Sequence, residues 1–151
     1  MDKETKSFES VLADSGVLMW RTSGRSMRPL IKTGRDLVII EPPKGRPGKY
    51  DVAFYKTGGT YILHRILKVK EDGYITAGDN NYFRENIKED QMLGVMTGLV
   101  RRGKKVDLNG LPYRAYVLLW GGRYGLRRAV TAPYRYLRRF AAKLFHKVKG
   151  E

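Results

Sequence analysis

Along residues 1–110 the apolar positions mostly follow the two-residue period of strands, and a helical period appears only near the two ends of the chain. Phe8, Val11 and Leu12 fall on one face of a short helix predicted over residues 7–14, with Gly16 placed to end it. Val17-Leu18-Met19-Trp20 reads as a buried strand, and Asp36 to Glu41 as a second one by its β-branched content. Pro42 and Pro43 stop that strand, and a Gly/Pro-rich loop follows. Residues 51–56 and 60–70 then form a hairpin around Gly58-Gly59. Alternation puts Ile62, His64, Ile66 and Lys68 on one face of the long strand, and Leu63, Arg65, Leu67 and Val69 on the other.

A further hairpin signal, Asp72-Gly73, returns the chain through residues 74–77 to Gly78-Asp79-Asn80-Asn81. Residues 82–91 are polar and read as loop, and residues 93–101 and 104–108 pair around Arg102-Gly103. Many short strands joined by Gly-containing turns predict a small, mostly β, antiparallel fold with a short N-terminal helix. Past Pro112 the period becomes helical. Leu137, Phe140, Ala141, Leu144, Phe145 and Val148 draw one apolar stripe, with Arg138, Arg139, Lys143 and Lys147 mostly off it. Two regions are therefore expected: a β domain over residues 1–110 and a basic helical tail over residues 111–151.

Charge sharpens the second of these. The chain of 151 residues carries a net charge of +15, of which +9 falls on residues 111–151 and +6 on the rest. So basic a tail points to an anionic partner. One reading lays it on an anionic membrane surface with Phe140, Leu144 and Phe145 inserted; the other packs it on the β domain with its basic face in water. Nucleic acid is the less favoured partner, because the tail's aromatic residues interleave with arginines but no recognised nucleic-acid motif is present. The chain has no cysteine, which excludes disulfides, thiol catalysis and Cys-zinc sites. Met1 to Glu9 lacks the apolar run of a secretory signal, and no apolar stretch reaches bilayer-spanning length. A cytoplasmic protein, peripheral at most to the membrane, is the expectation.

The candidate chemistry lies in Gly24-Arg25-Ser26-Met27-Arg28-Pro29 and His64-Arg65-Ile66. A serine beside a turn is by itself only a turn residue, and a lone strand histidine only a satisfied core group. Together they matter more. A hydroxyl is a weak nucleophile at neutral pH and needs a base within hydrogen-bond reach, which His64 can supply. Two histidines and scattered acids give no metal-ligand spacing, so neither a metal nor a cofactor is expected.

The order of these motifs, from Gly-x-Ser-Met-x-Pro through His-Arg-Ile to Gly-Asp-Asn-Asn, resembles the superfamily of type I signal peptidases and LexA-type self-cleaving repressors, over about residues 17–108. The resemblance implies the signal peptidase/LexA-like β fold and a serine endopeptidase that cuts an extended peptide or leader after small residues. It implies Ser26 as nucleophile, with its own backbone N–H in the oxyanion hole, and His64 as general base in the position that other members fill with lysine. Asp79 of Gly78-Asp79-Asn80 is then the carboxylate expected to orient the imidazole. A second acidic position of the histidine branch falls near Glu85. Met27 and Pro29, an apolar anchor and a rigid corner, are candidates for the substrate cleft. Asp36, in Gly34-Arg35-Asp36, is expected to be structural, as is Arg65. The peptide or protein substrate is the implied partner. The alternative function is a non-catalytic or self-processing LexA-like module whose basic tail binds anionic membrane or nucleic acid.

Overall fold

A computed structural model of the chain describes residues 7–121. The basic stripe Arg138, Arg139, Lys143 and Lys147 and its apolar partners Phe140, Leu144 and Phe145 lie outside the described residues. Among the described residues no helix is long and apolar enough to cross a membrane.

The fold is mostly antiparallel β, a single curled sheet with a short helix at its N-terminal end. Helix α1 (Phe8–Ser15) begins at Ser7, whose hydroxyl accepts from the Ser10 N–H, and ends at Gly16 in the left-handed conformation. The strands are β1 (Leu18–Trp20), β2 (Asp36–Glu41), β3 (Val52–Thr57), β4 (Thr60–Lys70), β5 (Gly73–Ala77), β6 (Glu85–Lys88), β7 (Met92–Arg101) and β8 (Lys104–Lys105). They lie in the order β1-β2-β7-β3-β4-β5-β6, with β8 also on β7. Register shifts interrupt the ladders at Ile39/Ile40, Phe54/Tyr55 and Ile66/Lys68. Each such irregularity bends and twists a strand, which is how a sheet of this width curls on itself.

Both faces are packed. On one, Val38, Ile40, Val52, Phe54, Leu63 and Leu99 form the main core beneath α1, with Phe8 against Trp20, Phe54 and Tyr61. On the other, Ala53, Tyr55, Ile66, Tyr74 and Ile87 form a second cluster, joined by Ile62 and Val69. Val69 is on the face opposite to the one expected from strict alternation. The shift between Ile66 and Lys68 leaves Leu67 unpaired and inverts the parity of everything after it.

Two further expectations change. The polar stretch 82–91 is not all loop: Glu85–Lys88 forms β6 on the outer edge of β5, followed by a single tight turn over Glu89–Gln91. An edge strand that buries only Ile87 needs no alternating apolar pattern, so its sequence looks like loop. The strand expected over 104–108 is only Lys104–Lys105; the Val106 N–H still bonds the Leu99 carbonyl at 2.8 Å, and the side chains of Val106 and Leu108 pack on the main core. The chain then enters helix α2 (Leu111–Tyr116) and one wide π-type turn (Val117–Gly121). This opening part of the tail packs on the β domain, with Tyr113 and Tyr116 against the main core.

Candidate active site

β1 and β4 are separated in the sheet by β2, β7 and β3, yet Trp20 and Thr60–His64 line the same cleft of about 270 Å³ together with Ser26 and Met27. The curl of the sheet closes that distance. β5 pairs with β4 only from Arg65 to Lys70. The stretch Thr60–His64 therefore has one edge that no strand covers among the described residues, and that stretch forms a wall of the cleft.

Ser26 sits in the loop after β1, held from three sides. The Thr33 hydroxyl donates to the Gly24 carbonyl at 2.6 Å, the Asn80 side-chain amide to the Arg25 carbonyl at 3.2 Å, and the Asn80 backbone N–H to the Ser26 carbonyl at 2.6 Å. Downstream, the Ile31 N–H bonds the Met27 carbonyl at 2.9 Å, and the buried side chains of Met27, Leu30 and Ile31 anchor the turn in the core. Met27 lines this cleft. Pro29 does not: the same turn carries it round to a separate cavity of about 490 Å³ with Leu30, Val106 and Tyr116.

His64 is buried, on the β4 face shared with Tyr55 and Ile66. A methyl group on Gly78 would lie 2.9 Å from the Ser26 Cβ and 3.1 Å from His64 Nε2. Those two atoms are thus no more than about 6 Å apart, the sum of the two distances. Nε2 therefore faces the serine across Gly78, and Nδ1 faces the second cluster. There the Tyr55 hydroxyl stands 3.2 Å from Nδ1 and a Glu85 carboxylate oxygen 3.5 Å away. Burial pushes the His64 pKa below its ordinary value, against the opposing pull of the Glu85 and Asp79 charges. The neutral imidazole is therefore the resting form at neutral pH, as a base requires.

Asp79 is not in the orienting position expected from the motif. Its carboxylate receives Nε and Nη2 of Arg65 at 2.8 and 2.7 Å, and the Tyr116 hydroxyl at 2.7 Å, while Trp120 Nε1 donates to its backbone carbonyl at 3.2 Å. Both members of the ion pair are buried, and the Asp79 charge raises the Arg65 pKa over the opposing effect of burial. This pair ties the Gly78–Asn80 turn to β4 and to the start of the tail. The carboxylate near Nδ1 is Glu85 instead. β6 brings it there: Thr76 pairs with Glu85, and Arg65 with Ala77.

Asp36 is structural as expected. It is fully buried, takes Arg35 through both oxygens at 2.6 and 2.7 Å, and accepts the Lys32 N–H at 2.9 Å. Burial alone would raise its pKa, but these partners and Arg101 hold it below the usual carboxylate value.

Sequence reasoning missed Tyr55 and Thr76. The signal was present for Tyr55. A two-residue hairpin at Gly58-Gly59 pairs Thr57 with Thr60, and hence Ala53 with His64 and Tyr55 with Ile62. Tyr55 is thus the diagonal same-face neighbour of His64, within reach of a long side chain. Comparison of the chain with protein-family models and with curated proteins gives no match.

Proposed function

We propose that this protein is a serine endopeptidase acting on an extended peptide through Ser26 and His64. The observation that carries the reading is the approach of the Ser26 side chain and His64 Nε2 to one point at Gly78, with Ser26 and His64 both lining a cleft bounded by an open strand edge. Serine–histidine contacts in unliganded enzymes are often long and tighten with substrate. A peptide adding as a strand along Thr60–Leu63 would gain main-chain hydrogen bonds and bring its scissile carbonyl to the serine.

In the proposed cycle, Nε2 takes the Ser26 proton as Oγ bonds to the carbonyl carbon. The resulting oxyanion is met by the Ser26 backbone N–H. The C–N bond breaks, the imidazolium returns the proton to the leaving amine, and an ester remains on Ser26. Water, deprotonated by the same nitrogen, attacks that ester; the bond from the carbonyl carbon to Oγ breaks, the imidazolium returns the proton to Ser26 Oγ, and the acid is released. Glu85, behind Nδ1, stabilises the imidazolium. The motif order shared with signal peptidases and LexA-type repressors supports the same assignment, including a preference for small residues before the cut. The basic tail would hold the enzyme on anionic lipid, close to leader-bearing substrates.

The test is covalent labelling of Ser26 by a serine-reactive probe. Labelling in the intact chain and its loss in both Ser26→Ala and His64→Ala is the expected result. Equal labelling of all three proteins would refute the proposal.

A further inference from the structure

The Tyr55 hydroxyl, wholly buried, meets three polar groups: Glu85 Oε2, Thr76 Oγ1 at 3.0 Å and His64 Nδ1 at 3.2 Å. A phenol has one hydrogen and two lone pairs, and a carboxylate can only accept. The single hydrogen therefore goes to Glu85. Both lone pairs remain for donors: the Thr76 hydroxyl hydrogen fills one, and Nδ1–H of the imidazole the other. Every member of the cluster is then satisfied, as a buried polar network requires. The direct Nδ1 to Glu85 separation of 3.5 Å is beyond good hydrogen-bond length.

We infer that Tyr55 is a positioning residue that holds His64 as the Nδ1–H tautomer and relays the Glu85 carboxylate to it, leaving Nε2 bare toward Ser26. The inference rests on the peptidase reading for its catalytic consequence, but the proton arrangement it specifies can be measured without any turnover. The other charged groups around His64 do not compete for Nδ1. Asp79 is engaged by Arg65 and Tyr116, and Ser26 and Gly78 lie on the Nε2 side. When Nε2 accepts a proton, Nδ1–H keeps its acceptor, and the Tyr55 hydrogen stays on Glu85, so no second proton has to move. The carboxylate then acts on the imidazolium through a polarised hydroxyl.

Nitrogen-15 NMR of the imidazoles tests this on the full chain. It contains only two histidines, so a His146→Gln variant assigns the His64 signals. The wild-type ring is expected to show a protonated Nδ1 and a bare Nε2 above its titration. Tyr55→Phe keeps the ring in the core but removes the acceptor; the Nε2–H form should then appear, and the pH titration of His64 should shift. Peptidase kcat should fall on the order of 10²-fold or more, the lower end of what a correctly protonated general base contributes, with KM within about twofold. A folded Tyr55→Phe protein with unchanged tautomer and titration would overturn the inference, since Glu85 would then hold the ring unaided. Should that variant not fold, Glu85→Ala decides. Released from the carboxylate, the Tyr55 hydrogen should turn to Nδ1 and convert the ring to Nε2–H, and an unchanged ring would again overturn the relay. Absence of Ser26 labelling in a wild-type protein whose tautomer responds as described would sink the peptidase reading alone.

Discussion

The backbone N–H of Asn80 donates to the carbonyl oxygen of Ser26 at 2.6 Å, so the turn after β5 and the loop after β1 are one piece of structure at the site. Gly78 makes that contact possible. A methyl group there would stand 2.6 Å from the same carbonyl oxygen and 2.9 Å from the Ser26 Cβ, distances that real side chains essentially never occupy, and would crowd His64 Nε2 at 3.1 Å.

Gly78→Ala should therefore separate the serine loop from the histidine. The backbone oxygen cannot yield as a flexible side chain would, and overpacking of this kind costs about 1–3 kcal/mol. Chemical denaturation should report that loss, and the rate of probe labelling at Ser26 should fall at least about tenfold, the factor that roughly 1.4 kcal/mol of lost alignment represents. Wild-type labelling and stability would show that the two loops are not in close contact.

Asp79 and Glu85 should separate by the kind of damage their loss causes. Asp79→Ala strands the buried Arg65 guanidinium, and breaking such a pair typically costs about 3–5 kcal/mol. Its chief effect should be a lower denaturation midpoint. Glu85 is about one-third exposed. Glu85→Gln should cost at most about 1.5 kcal/mol, the net worth of one ordinary hydrogen bond, and lower kcat far more than stability. A catalytic loss in a stable Asp79→Ala protein would return the orienting role to Asp79.

The site should respond to pH through His64. Burial lowers its pKa from the ordinary 6.5, so the acid limb of the labelling rate should lie below pH 6.5. Stability follows the same sign. Below pH 6.5 the unfolded chain binds a proton that the folded chain refuses until its own lower pKa is reached. This contribution is complete above pH 6.5 and is lost as the pH falls toward the folded value. The gap in denaturant midpoint between wild type and His64→Gln should thus stay constant above pH 6.5 and change only on the acid side, where the wild type alone loses this contribution. Parallel curves would remove His64 as the titrating group.

Phe8 props the cleft from behind, its ring 4.7 Å from Tyr61 and 5.5 Å from Trp20, both of which line it. Glu9 fastens the same helix: Lys56 at 2.7 Å and the Tyr61 hydroxyl lower its pKa to about 2. Phe8→Ala should cost about 3 kcal/mol, near the low end for a phenylalanine in a core because this ring is only half-buried. On peptide substrates KM should rise with kcat changed by less than about twofold. An unchanged KM would mean that the aromatic wall does not contact substrate.

The local pattern announced most of the strands and the hairpin at Gly58-Gly59, since period-two alternation and paired glycines act within a few residues of themselves. It also marked Ser26 and His64 as the pair worth testing, and Asp36 as structural. β6 escaped notice because an edge strand that buries only one apolar residue leaves no periodic trace. Leu67 inverted the facing of Val69 because a strand irregularity is set by its partner's register rather than by its own residues.

What the chain order alone determined, then, is the set of strands and the chemical types available: a hydroxyl, an imidazole and two carboxylates six positions apart. Which carboxylate stands behind the imidazole was decided only by the folded sheet. Asp79 and Glu85 are nearly equivalent choices along the chain. In space, Arg65 takes the first from the far face of β4, while the pairing of Thr76 with Glu85 delivers the second to Tyr55 and His64. The same holds for the cleft, whose walls come from β1 and β4. Sequence period reports which face of a strand is buried, whereas the curvature that joins two distant strands arises from twist summed over all the strands between them.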